Sequence, residues 1–302
     1  MALTRGALSL LVGLLPLGCN GTERLEVVLD DCLDDEQKVY PGVCGCGIPE
    51  ERCVPLKSAL VHRYAFDGTG TRAIDGVGGA DGKLMNTELM DVGELYLDRG
   101  GELEQYVELP NGIISVLSSA TFEAWVIWEP PPVAPMPFWE RIFDFGVSTK
   151  GEDQREFGRS YLFLAPGQPG TTPPTPRTAF RDDNLPGEVI VNGRDAMPSN
   201  TAFEVAVVVD DAAHELRLYL NGVEQPNKVP LSEPLGAIQD VNNWLGRSQF
   251  IADSRFGGSL LEFRIYDRAL TAAELADSAS LGDSPAFLQQ PKPAAQDGSG
   301  AP

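Results

Sequence analysis

The sequence has few basic side chains and almost no histidine. Its 302 residues include 23 lysines and arginines against 44 aspartates and glutamates, for a formal net charge of −21. Such a surface repels phosphate backbones, so we exclude nucleic acid as a partner. The two histidines, His62 and His214, lie near neither a GxSxG-like serine nor a metal-ligand partner. The sequence also lacks a Walker loop, a dinucleotide fingerprint and a complete EF-hand.

Long apolar runs are scarce as well, and the one near the start is short. Arg5 precedes the apolar stretch 7–17, which is too short for an ordinary membrane span and typical of an export signal. The end of this stretch, LPLGCN at 15–20, resembles the lipobox of bacterial lipoproteins, which implies that Cys19 is acylated. Cleavage nearby without acylation is the alternative. We therefore expect residues 1–19 to be a signal peptide and the protein to be exported, as an outer-membrane or cell-surface lipoprotein or as a secreted protein. A lipid anchor would be its sole contact with a membrane.

The other four cysteines form an even set close to the N-terminus. In an exported protein an even set favours two disulfides, between the members of Cys32, Cys44, Cys46 and Cys53. A bridge between Cys44 and Cys46 would be strained, so Cys32 pairs with one of these two and Cys53 with the other. A zinc site is the alternative, although no CxxC pair or nearby histidine supports it.

These cysteines lie in an acidic segment, residues 20–57, that has too few large apolar residues to build a core. Its stretches 30–38 and 41–47 resemble the end of the Asp-rich, Cys-containing thrombospondin type 3 repeats. In those repeats aspartates bind calcium, but the DxDxDG spacing is missing here. We expect a disulfide-pinned stalk.

From residue 58 onward, short β-like runs alternate with turn residues, which is typical of a sandwich or jelly roll. The predicted strands are 60–66, 105–109, 121–128, 141–145, 161–164, 188–191, 203–209, 215–220 and 259–266. Thr271 and Glu274 match a capping box, which predicts a short C-terminal helix. The fold class is therefore all-β, a two-sheet antiparallel jelly-roll sandwich over residues 58–277. The segment 278–302 is rich in Pro, Ala, Gly and Gln, and we expect it to be disordered.

Seven phrases in this region are similar, in order, to the laminin-G-like domains of the concanavalin A superfamily in bacterial surface proteins. They are His62–Gly68, Tyr106–Pro110, Phe122–Trp125, Trp139–Gly146, Leu218–Gly222, Asn243–Ser248 and Glu262–Tyr266 with the following Arg268–Leu270. The resemblance implies the jelly roll and leaves the ligand open, because one fold carries many functions.

The same superfamily contains laminarinase-type hydrolases, whose chemistry needs two closely spaced carboxylates. Their usual Glu-x-Asp-x-x-Glu carrier is missing, Glu123 stands alone on its strand, and Asp144 has no acidic neighbour two residues away. We therefore predict no enzyme activity and a surface binding module for a glycan or an extracellular protein. An active relative of the laminarinases and a passive envelope scaffold are the alternatives.

Aromatic side chains in the two Pro-rich loops are candidates for glycan contact, because sugars stack on aromatic platforms. These candidates are Phe138, Trp139 and Phe180. Trp139 lies inside one of the family phrases, where a tryptophan is more often a core residue, so Phe138 and Phe180 are the less constrained choices.

Members of this superfamily often hold calcium near a sheet edge, and the resemblance implies a structural calcium ion here. Asp75 lies in a Gly-rich loop that resembles the family's Asp-Ser-x-Gly loop, Asp67 ends the first strand, and Glu262 lies on the last. Calcium takes six to eight oxygen ligands, so backbone carbonyls would complete the set. The alternative is that Asp67 and Asp75 are plain turn residues and Glu262 is an exposed strand position.

Overall fold

A computed structural model describes residues 31–130, 139–283, 285 and 288 of the chain. The chain divides into two compact units, Met1–Val54 and Pro55–Pro302. The predicted signal peptide, Cys19 and nearly all of the predicted tail lie outside the described residues. In the described part, no helix combines the length and the apolar content that a membrane crossing requires.

Two disulfides hold the described part of the first unit together. They join Cys32 to Cys46 and Cys44 to Cys53, which confirms the predicted pair of bridges. The Asp35 carboxylate accepts hydrogen bonds from the backbone amides of Gly47 (2.7 Å) and Gln37 (3.0 Å). The Gly47 amide is the main cause that lowers the pKa of Asp35. This aspartate therefore serves as a turn residue, and the likeness to thrombospondin repeats stays a prediction.

In the described residues, the α-helices are α1 (Glu50–Ala59) and α2 (Ala272–Leu281), and a 3-10 turn lies at Leu235–Ala237. The strands are β1 (Leu60–Tyr64), β2 (Thr69–Gly70), β3 (Arg72–Ala73), β4 (Gly82–Met85), β5 (Leu89–Met90), β6 (Leu95–Leu97), β7 (Tyr106–Leu109), β8 (Ala120–Trp128), β9 (Phe143–Ser148), β10 (Gly158–Ala165), β11 (Arg177–Arg181), β12 (Val189–Asn192), β13 (Ala202–Asp210), β14 (Glu215–Leu220), β15 (Val223–Glu224), β16 (Val229–Pro230), β17 (Asn242–Leu245) and β18 (Gly258–Tyr266).

Two antiparallel sheets form the body of the second unit, as predicted. Sheet 1 has the order β1-β18-β8-β13-β14-β15, with β6 paired to β18 and β16 paired to β14. Sheet 2 has the order β12-β11-β10-β9-β17-β7-β4-β3, and β2 pairs with β5 separately. Some neighbours are consecutive strands, as in β9-β10-β11-β12, whereas pairs such as β1-β18 and β8-β13 join distant parts of the chain. This mixture of hairpins and long connections is the connectivity of a jelly roll. The all-β, two-sheet class is confirmed.

The core lies between the inner faces of the two sheets. Alternate residues of β8 point into it, as do Leu216, Leu218 and Leu220 of β14, as the alternation predicts. Four phenylalanines meet at its centre with ring centroids 4.9–5.9 Å apart, and they are Phe122, Phe143, Phe145 and Phe263. Each such ring pair stabilises the core by about 0.5–1.5 kcal/mol beyond its burial.

The outer face of sheet 1 carries charged side chains that are buried. Glu123 of β8 is fully buried and accepts hydrogen bonds from Tyr266 Oη (2.7 Å) and Ser278 Oγ (2.9 Å). Ser278 belongs to α2, so this helix covers that face. Glu204 of β13 is buried on the same face and accepts from the Gly222 amide (2.8 Å).

The C-terminal helix begins where the sequence predicts. The Thr271 hydroxyl accepts from the Glu274 amide while the Glu274 carboxylate accepts from the Thr271 amide, so both halves of the capping box are present. The helix ends at Leu281, beyond the predicted domain boundary at residue 277, so the first residues assigned to a disordered tail are helical. Helix α1 has no signal in the sequence analysis.

Candidate functional site

Strand pairing aligns a row of side chains across the outer face of sheet 2. Phe163 of β10 is opposite Asp144 of β9, and Asp144 is opposite Trp244 of β17. On its other side, Phe163 is opposite Ala179 of β11. Paired residues project from the same face of a sheet, so an apolar floor and a carboxylate lie side by side on the face away from the core.

An aromatic cluster, defined by Trp139, Tyr161, Phe163 and Phe250, covers part of this face. Tyr161 and Phe163 stack with centroids 5.7 Å apart, and Trp139 meets Phe163 edge-on at 6.5 Å. Phe250 meets Tyr161 edge-on at 5.5 Å. Tyr161 and Phe163 are buried, whereas Trp139 and Phe250 are half-buried and present ring surface to solvent.

Trp139 adopts an unusual backbone conformation at this place. Its φ of 65° lies in the left-handed region, which costs a non-glycine residue about 1–2 kcal/mol. Its carbonyl accepts a hydrogen bond from Arg141 Nη1 at 2.8 Å. Strained residues cluster at binding and catalytic sites, where the surrounding structure fixes them. The strain therefore marks Trp139 as a positioned side chain.

Arg141 lies at the centre of the cluster. Its guanidinium lies 3.8 Å from the centroid of the Phe163 ring, a cation–π contact. Arg141 also forms ion pairs with Asp144 (3.3 Å) and with Asp253 (2.8 Å). The chain thus neutralises this buried cation with carboxylates from two elements that are far apart in sequence.

Asp144 is fully buried beneath Arg141. Its Oδ2 accepts a hydrogen bond from the Gln249 amide at 2.9 Å, and among the described residues its Oδ1 has no hydrogen-bond partner. Burial raises the pKa of the Asp144 carboxyl to about 7, although Arg141 acts to lower it. Burial likewise raises the pKa of Asp253, again against Arg141. Arg141 and the two acids therefore form a coupled network under the aromatic cluster.

A depression of about 160 Å³ opens beside this network. Its lining residues are Trp139, Arg141, Phe163, Arg177, Glu188, Phe250 and Asp253. The Arg177 guanidinium lies 4.9 Å from the Trp139 ring centroid and donates to Asn192 Oδ1 (2.6 Å) and Gln168 Oε1 (2.7 Å). Tyr161 Oη donates to Glu188 at 2.5 Å. The depression thus combines aromatic walls with two cationic side chains, Arg141 and Arg177, and two anionic ones, Glu188 and Asp253.

The aromatic rings at the opposite end of the same face are covered. Arg247 lies between the rings of Tyr106 and Trp244, 4.3 Å and 4.1 Å from their centroids, and pairs with Glu104 at 3.0 Å. Tyr106 and Trp244 are both buried. Aromatic surface on this face is therefore open to a ligand mainly at the depression.

The three residues predicted to contact a glycan have three different outcomes. Trp139 lines the depression. Phe138 lies outside the described residues. Phe180 was predicted in a loop, but it lies on β11 with its side chain fully buried in the main core, where no ligand reaches it. The prediction for Phe180 is therefore wrong. The Pro-rich stretch 166–176 indicated a loop and gave no signal of the strand that follows it.

The predicted calcium ligands do not come together. Among the described residues, Asp67, Asp75 and Glu262 form no group close enough to share one ion. Glu262 is buried and binds Arg63 with two hydrogen bonds of 2.9 Å and 2.7 Å, so it is not the exposed residue of the alternative interpretation either. Asp67 is exposed. Among the described residues the three predicted acids therefore do not form one donor group, and calcium binding itself stays a prediction.

Asp75 instead accepts hydrogen bonds from its own loop and the adjacent strand. Backbone amides of Arg63, Val77, Gly78 and Ala80 each donate at 3.0 Å, and His62 Nδ1 lies 2.7 Å from Oδ2. Burial acts to raise the pKa of Asp75, but these hydrogen bonds outweigh burial and hold it below its usual range.

Sequence reasoning missed most of the residues of the depression. Arg141 and Asp144 lie inside a quoted phrase, but their partner Asp253 follows 109 positions after Asp144. Arg177, Glu188 and Phe250 gave no motif signal. The β9–β10–β11 meander and the loop after β17 bring them together, and no local pattern in the sequence indicated which side chains share this outer face.

The chain belongs to the concanavalin A-like lectin/glucanases superfamily, whose family model matches residues 99–276, more than half of the chain. No curated protein matched it.

Several solved structures are similar in fold. Domain 4 of an extracellular arabinanase from Geobacillus stearothermophilus, in complex with arabinotriose, is 20 % identical over 72 % of this chain and 97 % of that domain, with a TM-score of 0.47. The CBM40 of an IT-sialidase from Ruminococcus gnavus, bound to α2,3-sialyllactose, is 17 % identical over 53 % of this chain and 82 % of that one, with a TM-score of 0.42. A Trypanosoma rangeli sialidase is 13 % identical over 78 % of this chain, with a TM-score of 0.50, and this chain spans 34 % of that enzyme.

Proposed function

We propose that the sandwich is a non-catalytic carbohydrate-binding module and that its ligand lies in the depression on the outer face of sheet 2. The observation that carries this proposal is the convergence of half-buried aromatic rings with charged hydrogen-bonding groups around one small depression. Membership of a superfamily described by its lectins and glucanases supports the same class of ligand.

The physical argument rests on the two kinds of surface that a sugar presents. Its C–H groups form an apolar face that packs on aromatic rings, and its hydroxyls donate and accept hydrogen bonds around the rim. Trp139 and Phe250 supply ring surface, while Arg177 supplies donors and Glu188 an acceptor. A pocket with aromatic walls and a few placed polar groups is the usual form of a small-ligand site.

Binding without turnover is part of the proposal. Glycoside hydrolysis needs two carboxyl groups that flank the scissile bond, one of them free to give a proton. Of the two carboxylates that line the depression, Glu188 accepts from Tyr161 Oη, and Asp253 is engaged by Arg141 and by Ser248 Oγ at 2.6 Å. Asp144 beneath them is fully buried. Glu123 lies on the other sheet, beneath α2. We therefore expect this module to hold a glycan intact.

A glycan array probed with the full chain tests the proposal. We expect binding to at least one class of glycan, and Trp139→Ala to weaken it by about tenfold or more through loss of ring contact. Tyr96→Ala is the matched control, because Tyr96 is an exposed aromatic on β6 of the other sheet. Failure to bind any arrayed glycan, or release of shorter sugars from a bound one, contradicts the proposal.

We also propose that the module works outside the cytoplasm, anchored through Cys19 or secreted. The two disulfides support export, since such bonds persist mainly in oxidising compartments. Mass spectrometry of the mature N-terminus is the test. An acylated Cys19 is the expected result, and an unmodified N-terminus beyond residue 19 removes the anchor.

A further inference from the structure

Arg177 and Glu188 bracket the depression from opposite ends of one hairpin. In the pairing of β11 with β12, Arg177 is opposite Asn192, whereas Val189, next to Glu188, is opposite Phe180. The two residues thus lie several strand positions apart, on either side of a floor that includes Ala179. Both line the depression, and among the described residues no salt bridge joins them. Burial acts to lower the pKa of Arg177, and the charge of Glu188 acts against that effect.

The charges around the depression balance. The Arg141 guanidinium is held by two carboxylates of the protein, so it offers little net charge to a ligand. Arg177 is bound by the amide oxygens of Asn192 and Gln168, which are uncharged, and Glu188 is bound by a tyrosine hydroxyl. Arg177 and Glu188 therefore face the same space as one positive and one negative charge that no salt bridge of the described residues pairs, although the charge of Glu188 acts on Arg177.

A carboxylated or sulfated sugar fits this arrangement poorly. It would gain Arg177 but would approach both Glu188 and Asp253, on a protein of net charge −21. A neutral ring with hydroxyls on both sides matches both ends, because a hydroxyl accepts from a guanidinium as readily as it donates to a carboxylate.

The size of the depression also limits the ligand. Its volume of about 160 Å³ is roughly five times the ~30 Å³ that one water occupies in the liquid. That is room for a single sugar ring, with the neighbouring units of a chain lying outside along the sheet.

Building on the proposed function, we infer that the depression takes one neutral sugar ring of a longer glycan. Arg177 donates to a hydroxyl at one end of the ring and Glu188 accepts from a hydroxyl at the other, with the ring between Trp139 and Phe250. These two charged residues select against sugars that carry an acidic group.

The test compares neutral and acidic sugars that differ in nothing else. Oligogalacturonides and their carboxyl-reduced forms serve as matched probes, beside neutral fragments of arabinan, xylan, mannan and β-glucan, in titrations of the full chain. We expect a neutral probe to bind, with an affinity that changes less than about twofold between 50 and 300 mM NaCl, because no net charge is neutralised.

Substitutions assign the two ends of the site. Arg177→Gln and Glu188→Gln are each expected to weaken binding of that neutral probe by about tenfold or more. Arg72→Gln on β3 and Glu224→Gln on β15 are matched controls at exposed positions away from the depression, and we expect no change from either.

The outcomes separate the two proposals. Preference for an acidic probe, with affinity that falls as salt rises, overturns the neutral-sugar inference and leaves the carbohydrate-binding function intact. Neutral binding that survives both glutamine substitutions also overturns it, since the ring would then lie elsewhere. Absence of binding to every probe contradicts the proposed function itself.

Discussion

At the scale of single residues, Asp75 shows how one carboxylate fixes a loop. Four backbone amides and a histidine nitrogen surround its two oxygens, so the Gly-rich segment 76–80 folds around a charge. In the sequence, Asp75 lies in a Gly-rich loop, and the resemblance of this loop to the family's calcium loop suggested a metal ligand. A resemblance cannot show whether amide hydrogens or a cation neutralise a carboxylate, because both need the same turn-forming glycines.

Replacement of Asp75 by Asn is expected to lower the free energy of unfolding by about 3 kcal/mol at pH 7, because several charge-assisted hydrogen bonds are lost. The loss is measured by urea denaturation. Since the hydrogen bonds lower the pKa of Asp75, its stabilising contribution is present above its unfolded value of 3.8 and fades as pH falls below it. The variant's deficit should therefore shrink in acid.

Asp67→Asn is the control, because Asp67 is exposed, and it should leave the urea midpoint unchanged. Melting the full chain with millimolar calcium and with chelator completes the comparison. Equal melting temperatures agree with the hydrogen-bonded role. A rise with calcium that disappears in Asp75→Asn contradicts it and restores Asp75 as a metal ligand.

Arg141 is the second residue whose loss should be severe. Arg141→Met leaves Asp144 and Asp253 buried without their cation, and we expect a loss of about 3–5 kcal/mol at pH 7. Adding Asp253→Asn to this variant should restore part of the stability, since one carboxylate that has lost its cation is then removed. A single variant as stable as the parent in urea contradicts the proposed network.

At the scale of elements, the outer face of sheet 1 and helix α2 form a buried polar layer. Glu123, Glu204 and Glu262 lie there with the cations Arg63 and Arg264. Glu123 lies 3.7 Å from Arg264, while Glu204 forms no ion pair among the described residues. Burial, and then the charge of Glu123, raises the pKa of Glu204 well above its ordinary value.

This layer predicts a pH dependence of stability. A carboxyl whose pKa is raised on folding holds its proton in the folded state and loses it in the unfolded state, so folding is favoured less as pH rises above about 4.5. Asp144 acts in the same direction up to its pKa of about 7. We expect Glu204→Gln to flatten the decline in melting temperature between pH 5 and 8, and to be more stable than the parent at pH 8.

The control for this experiment is Glu224→Gln, an exposed glutamate on β15. It should melt as the parent does at each pH. If the melting temperature of Glu204→Gln falls with pH in parallel with that of the parent, Glu204 does not change its protonation on folding. That result contradicts the prediction that the buried Glu204 side chain is protonated in the folded state.

Elements differ in how far the sequence predicts them. The capping box at Thr271 and the alternation of β14 are local signals, and both elements lie where expected. Strand β11 was missed because the prolines at 173, 174 and 176 precede it and read as a loop. Arg99, which pairs with Glu140 at 2.7 Å, belongs to a contact 41 positions apart that no local pattern indicates. Strand pairing brings such residues together, and it joins strands that are far apart in the sequence.

At the scale of the whole molecule, charge is the dominant feature. A net charge of −21 on one chain produces self-repulsion that the folded state must withstand. Raising NaCl shortens the screening length from about 30 Å at 0.01 M to about 10 Å at 0.1 M. We expect the melting temperature to rise by a few degrees between these salt concentrations. A flat or falling melting temperature shows that favourable ion pairs outweigh the repulsion.

The fold class could be predicted from sequence because two-residue periodicity and turn chemistry recur along the whole second unit. The site could be predicted only at Trp139. Its other members come from the segment before β9, from β10 and β11, from the approach to β12 and from the loop after β17. Each is an ordinary residue until the sheet brings it beside the others.

The most direct test of the central claim uses the fluorescence of the four tryptophans. Trp125, Trp128 and Trp244 are at most 5 % exposed, whereas Trp139 is half-buried at the rim of the depression. Acrylamide should therefore quench mainly Trp139, and Trp139→Phe should lose most of the quenchable emission. If the depression holds the sugar, saturation with a glycan that binds in the array reduces the quenching of the parent protein. Unchanged quenching at saturation places the ligand elsewhere and contradicts the account.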